Sequence, residues 1–107
     1  KLDLSKDTCI PSLKLLGDFW TLRIIDALSS GSLRYCQIQR MADGVNPVTL
    51  STRLKKLEQE HLVKRTEETC DKISVSYELT DLGRSVLPVL DAVNAFSSEL
   101  AKTTIKV

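Results

Sequence analysis

A chain of 107 residues is the size of one domain with a single modest core, which excludes an enzyme carrying a separate substrate domain. Its 42% hydrophobic and 27% charged residues, with few Gly and Pro, exclude a disordered, collagenous or membrane-spanning chain. The formal net charge of +1 is no footprint of nucleic-acid binding, yet Val45 to Leu57 carries Arg53, Lys55 and Lys56 and no acid, so a local basic stripe is expected.

Pro11 predicts a short helix that holds Leu13, Leu15 and Leu16 and is closed by Gly17. Asp18 is a suitable N-cap for a second helix, Phe19 to about Ser29. Its apolar residues cover nearly the whole circumference, so it belongs in the middle of a core with Trp20 as anchor. Ser29 to Ser32 breaks the chain. Tyr35, Ile38 and Ala42 then make one stripe of a third helix ending at Asp43-Gly44, on which Cys36 is expected to face the core. Asn46-Pro47 restarts helix, with Asn as N-cap and Pro at the first helical position. Leu50, Leu54 and Leu57 fall at i, i+4 and i+7 and leave Thr49, Thr52, Arg53, Lys55 and Lys56 on the flanks and far side. Two helices joined by the few residues around Gly44 and Asn46 make a helix-turn-helix candidate.

Leu62 to Thr66 reads as a strand, and Ile73 to Leu79 alternates apolar with polar over seven positions. Thr69 to Lys72 between them has turn character, which predicts a β-hairpin directly after the fourth helix. His61, the only histidine, is expected at the helix end and not as a catalyst or metal ligand. Thr80 can cap a last helical region from Asp81, interrupted near Leu87-Pro88, where proline removes a backbone donor. Leu82, Val86, Val89, Val93, Phe96 and Leu100 recur at alternating intervals of 4 and 3, the spacing of a coiled-coil-like seam. This stripe predicts that the last helix builds a dimer, and folding back on Leu13, Leu15 and Leu16 is the alternative use.

Five segments, in order, carry a resemblance. Cys9-Ile10-Pro11 is similar to a Cys-x-Pro element and Gly17-Asp18-Phe19-Trp20-Thr21-Leu22 to a Gly-Gly-Lys-Trp-Thr-Leu signature. Gly31-Ser32-Leu33-Arg34-Tyr35 is similar to a Gly-x-x-Arg-Phe start of the third helix, and Leu50 to Glu58 with Leu62-Val63-Lys64-Arg65 to the stretch around a recognition helix. Tyr77-Glu78-Leu79-Thr80-Asp81-Leu82-Gly83 with Leu87-Pro88-Val89-Leu90 resembles a Tyr-x-Leu-Thr-x-x-Gly and Leu-x-Pro-Val-Leu run. Over residues 9–96 the chain thus resembles the HxlR-type family of bacterial winged helix-turn-helix transcriptional regulators. It departs from the pattern where Asp18 and Phe19 replace Gly and Lys, where His61 stands for the usual Gly, and where the prolines before Ile73 are missing.

The expected fold is mainly α with a small β-hairpin, a winged helix-turn-helix whose N- and C-terminal helices form a dimer interface. Residues 1–107 would form a single domain, with a core over 9–80, a recognition helix over about 47–60, a wing over about 62–79 and a dimerisation helix over 81–102. The resemblance implies a homodimer that binds duplex DNA at a pseudo-palindromic operator. Thr49, Ser51 and Thr52 would reach base edges, and Arg53, Lys55 and Lys56 would hold phosphates, with Arg34, Lys64 and Lys72 beside them. The seam residues expected at the dimer are Val86, Val89, Val93, Phe96 and Leu100. The polar face of the fourth helix is open to a second reading as a merely solvated face, and the fold to use as a protein–protein contact module.

Three cysteines without a CxxC pair argue against a disulfide scaffold or zinc knuckle. Cys9 reads either as a small apolar residue or, as the resemblance implies, as a thiol that senses oxidants or electrophiles. Cys70, in the turn, is expected to be exposed and incidental. No cofactor or metal is indicated, and no nucleophile motif, phosphate loop or acid pair supports an enzyme. The absence of a long apolar run or a signal-like start predicts a cytoplasmic location.

Overall fold

The computed structural model describes residues 9–42, 44–69 and 73–105 of the chain. Cys70 and Lys72 lie outside the described residues, as do the side chains of Cys9, Ile10, Glu68, Thr69, Ile73 and Ser74. The elements run α1 (Cys9–Leu16), α2 (Phe19–Ala27), a single 3₁₀ turn (Leu28–Ser30), β1 (Leu33–Arg34), α3 (Tyr35–Met41), α4 (Pro47–Gln59), β2 (Val63–Thr69), β3 (Ile73–Leu79), α5 (Asp81–Arg84) and α6 (Leu87–Ile105). No helix among the described residues is long and apolar enough to cross a membrane.

The capping residues expected from the sequence set these boundaries. Asp18 accepts from the Thr21 N–H at 2.9 Å and from its hydroxyl at 2.8 Å, which satisfies the one buried polar side chain of α2. Ile24 and Ile25 on α2 are fully buried against Leu28, Ile38, Leu50, Leu54 and Leu57, and Val45, Leu62, Val63, Leu79 and Val86 complete the core. Trp20 packs on the edge of this cluster with its ring edge-on to the Phe19 ring, centroids 4.9 Å apart.

The sheet is antiparallel and ordered β1-β3-β2, with Val63 opposite Leu79 and Leu33 opposite Tyr77. The strand at Ile73–Leu79 and its antiparallel pairing with β2 match the expectation, the turn residues 70–72 lie outside the described residues, and β2 extends to Thr69. β1 does not figure in the sequence reading, because a two-residue strand carries no period.

Two expected placements are corrected. Cys36 is exposed and not in the core, since the apolar stripe of the short α3 is taken by Ile38 and Ala42. Val86 is only 8% exposed and belongs to the core of its own chain, so it is not part of an outward seam. Helix α5 stops at Arg84, Val86 sits in the turn with its N–H on the Gly83 carbonyl at 3.1 Å, and α6 restarts one residue later with Pro88 in its first turn. Beyond the break α6 lies along α2, turning Leu87 and Leu90 to the core and leaving Val89, Val93, Phe96 and Leu100 exposed.

Candidate nucleic-acid interface

Helix α4 is presented by a turn fastened from both sides. Gly44 adopts φ +68°, where only glycine is unstrained, and its N–H donates to the Gln39 carbonyl at 2.9 Å. The Gln39 amide in turn donates to the Val45 carbonyl at 3.0 Å, and the Val45 side chain drops into the core. Asn46 Oδ1 then accepts from the Val48 N–H at 2.8 Å, and Pro47 occupies the first helical position, where a missing N–H costs nothing. Tyr35 latches α3 to this first turn: its Oη lies 3.0 Å from the Pro47 carbonyl and 3.1 Å from Ser51 Oγ.

The far end of α4 is equally defined. The His61 N–H donates to the Glu58 carbonyl at 3.0 Å and the Leu62 N–H to the Leu57 carbonyl at 2.9 Å, the paired bonds of a Schellman C-cap. That motif needs a left-handed residue, and His61 supplies it at φ +63° in the position where glycine is the usual family residue. Thr80 then joins three elements. Its N–H donates to the Leu62 carbonyl at 3.1 Å, its hydroxyl donates to the His61 carbonyl at 2.6 Å, and the same oxygen caps α5 by accepting from the Gly83 N–H at 3.0 Å. Gly83 lies so close to the wing that a Cβ there would stand 2.1 Å from the Leu62 carbonyl oxygen. The Tyr-x-Leu-Thr-x-x-Gly run is therefore a joint between α4, β2 and α5.

With Leu50, Leu54 and Leu57 buried, the 100° step per residue turns Val48, Thr52, Lys55 and Gln59 outward, and all four are exposed. Thr49 is half-buried on the flank. The Thr52 hydroxyl donates to the Val48 carbonyl at 2.7 Å, while Ser51 is held by Tyr35. Lys55 makes no ion pair among the described residues, and Lys56 meets Glu60 at 3.0 Å on the surface. Arg34, exposed in β1, opens α3 with its backbone N–H on Gln37 Oε1 at 2.8 Å. Lys64 is exposed on β2 opposite Glu78, and Arg65 lies 3.7 Å from Glu67.

Arg53 stands apart from the other cations. Its guanidinium grips the Asp18 carboxylate with both ends, Nε to Oδ2 at 2.8 Å and Nη2 to Oδ1 at 3.1 Å. That bidentate hydrogen bond, helped by the Thr21 donors and opposed by partial burial, holds the Asp18 carboxyl below its ordinary range and raises Arg53. The expected phosphate contact is thus engaged inside the chain, bracing α4 against the start of α2. A sequence reading that weighs α4 alone has no access to a partner 35 positions away. Val48, 74% exposed at the start of α4, is absent from the sequence-based site as well. Its 160° separation from Leu50 on the helical wheel is the signal that could have found it.

Three helices, an outward second helix of a tight helix pair and a flanking hairpin define a winged helix-turn-helix. The HxlR-like helix-turn-helix family model matches residues 15–104, and the chain belongs to that family. Among relatives, the HTH-type transcriptional regulator YvaP of Bacillus subtilis is 31% identical over 88 residues, which cover 82% of each chain. The structure is similar to a MarR-family transcriptional regulator from Porphyromonas gingivalis, with a TM-score of 0.82 and 29% identity over 92% of this chain and 97% of that one. It is also similar to the reduced form of the transcriptional regulator YodB from B. subtilis, with a TM-score of 0.78 and 28% identity over 88% of this chain and 92% of that one.

Proposed function

We propose that the chain is a sequence-specific regulator of transcription that binds duplex DNA as a homodimer. The observation that carries this reading is helix α4, anchored at both ends and turning Val48, Thr52 and Lys55 to solvent opposite its buried leucine stripe. In the major groove such a helix sets its N-terminal half against base edges, and Lys55, Lys56, Arg34 and Lys64 neutralise phosphates alongside. Residues 9–80 would do the reading, and the face formed by Val89, Val93, Phe96 and Leu100 would join two copies. Their two-fold symmetry calls for a pseudo-palindromic operator with half-sites about one helical turn, or a small multiple, apart. A regulator of the chromosome works in the cytoplasm.

The test is a salt titration of duplex DNA binding. Replacing Lys55 and Lys56 by Ala should weaken binding to all sequences and lower the salt slope by about one for each lost phosphate contact. Unchanged affinity and slope would remove α4 as the reading element.

Thiol responsiveness extends the proposal. YodB has been solved in reduced and diamide-treated forms, and the family resemblance assigns sensing to a cysteine near the N-terminus, here Cys9. Cys36 on α3, within the reading head, is exposed and serves as the comparison thiol. Diamide should reduce DNA binding of the wild type and of Cys36→Ser but not of Cys9→Ser; equal responses in all three would dismiss Cys9.

A further inference from the structure

The hydroxyl groups of Ser51 and Thr52 on α4 are committed inside the protein, and counting their protons shows what is left for base recognition. Tyr35 has one hydroxyl proton, and at 3.0 Å the Pro47 carbonyl can only accept it. The Ser51 contact at 3.1 Å then requires Ser51 to donate to Tyr35. Thr52 donates its proton to the Val48 carbonyl at 2.7 Å. The Asn46 carbonyl oxygen is likewise occupied by the Val48 N–H at 2.8 Å. With Thr49 half-buried on the flank, the first two turns of α4 present few free hydroxyl protons outward, and among the described residues the most exposed large apolar side chain is Val48, at 74%.

Val48 has no structural task at this place. It lies opposite the buried stripe of Leu50, Leu54 and Leu57, it contributes nothing to the core, and a β-branched residue on an exposed helix face lowers helix propensity. It sits in the first turn, the part of a reading helix that meets base edges. In the major groove the apolar feature of a base pair is the 5-methyl group of thymine.

We infer that Val48 reads thymine, packing its two methyl groups against the 5-methyl of one thymine in each half-site. Thr52, one turn on, offers its methyl to the same contact while its proton remains on the helix backbone. The inference rests on the DNA-binding reading and goes beyond it, because it fixes how sequence is discriminated: by apolar contact at this position and not by donated hydrogen bonds from Ser51 and Thr52.

The experiment uses the full chain and a duplex selected by it from a random pool. Each thymine is then replaced in turn by deoxyuridine, which removes only the methyl group. At one position per half-site the replacement should weaken wild-type binding about fourfold, the worth of one buried methyl group. Val48→Ala, at an exposed helical site where folding is unaffected, should lose most of the discrimination between the thymine and deoxyuridine duplexes, the Thr52 methyl keeping at most a minor part. Full discrimination retained by Val48→Ala, or no deoxyuridine-sensitive position at all, overturns the methyl contact while leaving DNA binding intact. Failure of the wild type to enrich or retain any duplex overturns the DNA-binding reading itself.

Discussion

Asp18 and Arg53, 35 residues apart in sequence, form a two-point ion pair that fastens the recognition helix candidate α4 to the N-terminus of α2. One carboxylate thereby does two jobs, capping α2 through Thr21 and bracing α4 through Arg53. Both side chains are about a third exposed, 34% and 29%, so solvent screening limits the pair to a modest share of stability.

Separating the two jobs gives the first prediction. Asn is as good an N-cap as Asp, so Asp18→Asn should cost about 0.5 kcal/mol, whereas Asp18→Ala, which loses the cap too, should cost about 1.5 kcal/mol. The folded-state pKa of Asp18 lies below the ordinary 3.8, so the contribution of the pair is present above that value and lost as pH falls through the lowered pKa. The stability gap between wild type and Asp18→Asn should therefore be constant at neutral pH and close in strong acid. Urea midpoints measured across pH 2 to about 7 decide it; a gap that widens with acid contradicts the pair.

A second prediction concerns Gly83. An added Cβ meets backbone, the Leu62 carbonyl oxygen at 2.1 Å, and no side-chain rotation relieves it. Gly83→Ala should cost about 3 kcal/mol, at the upper end of overpacking effects, and should loosen the joint between wing and α5. Thermal unfolding within 0.5 kcal/mol of wild type would refute this.

The left-handed His61 invites the opposite change. Relieving its φ of +63° by His61→Gly should stabilise the fold by about 1 kcal/mol, a rise in melting temperature of roughly 4–8 °C. Calorimetry is the direct measurement, and a lower melting temperature would mean that the imidazole makes a contribution larger than the strain.

For the outer face of α6, Val93→Glu with Phe96→Glu should give a folded monomer that binds DNA weakly, since both residues are exposed, at 46% and 65%. Val86→Glu should instead unfold the chain, because Val86 is buried in its own core and a carboxylate there has no partner. Sedimentation with circular dichroism separates the outcomes. A Val93/Phe96 double variant that still sediments as a dimer at micromolar concentration places the interface elsewhere.

The helix starts were legible because each is encoded locally: Asp18, Asn46-Pro47 and Thr80 are caps whose partners lie two or three residues away. The β3 strand was legible because its apolar–polar period is also local. Features set by distant partners were not. β1 exists only because Leu33 and Arg34 find Tyr77 and Ser76, and Arg53 is withdrawn from the polar face of α4 only because Asp18 is near it in space. The alternating 4 and 3 spacing placed Val86 in one seam with Val89, but the break between Arg84 and Leu87 resets the helix azimuth and sends Val86 inward. In the candidate site the charges of α4 were visible in sequence, while the commitment of the Ser51 and Thr52 hydroxyls to Tyr35 and to the Val48 carbonyl was not.

The joint at Thr80 has a geometric consequence. Because Thr80 ties the end of α4 to the start of α5, and Val86 pins the turn before α6, the angle at which the exposed face of α6 leaves the reading head is fixed by backbone contacts and not by a linker. That face works as an indexing key: one residue inserted between Gly83 and Leu87 would rotate it by about 100° about the helix axis. Whatever docks on Val93 and Phe96 is thereby given one orientation relative to α4, and that orientation is written into the two residues, Ser85 and Val86, that separate α5 from α6.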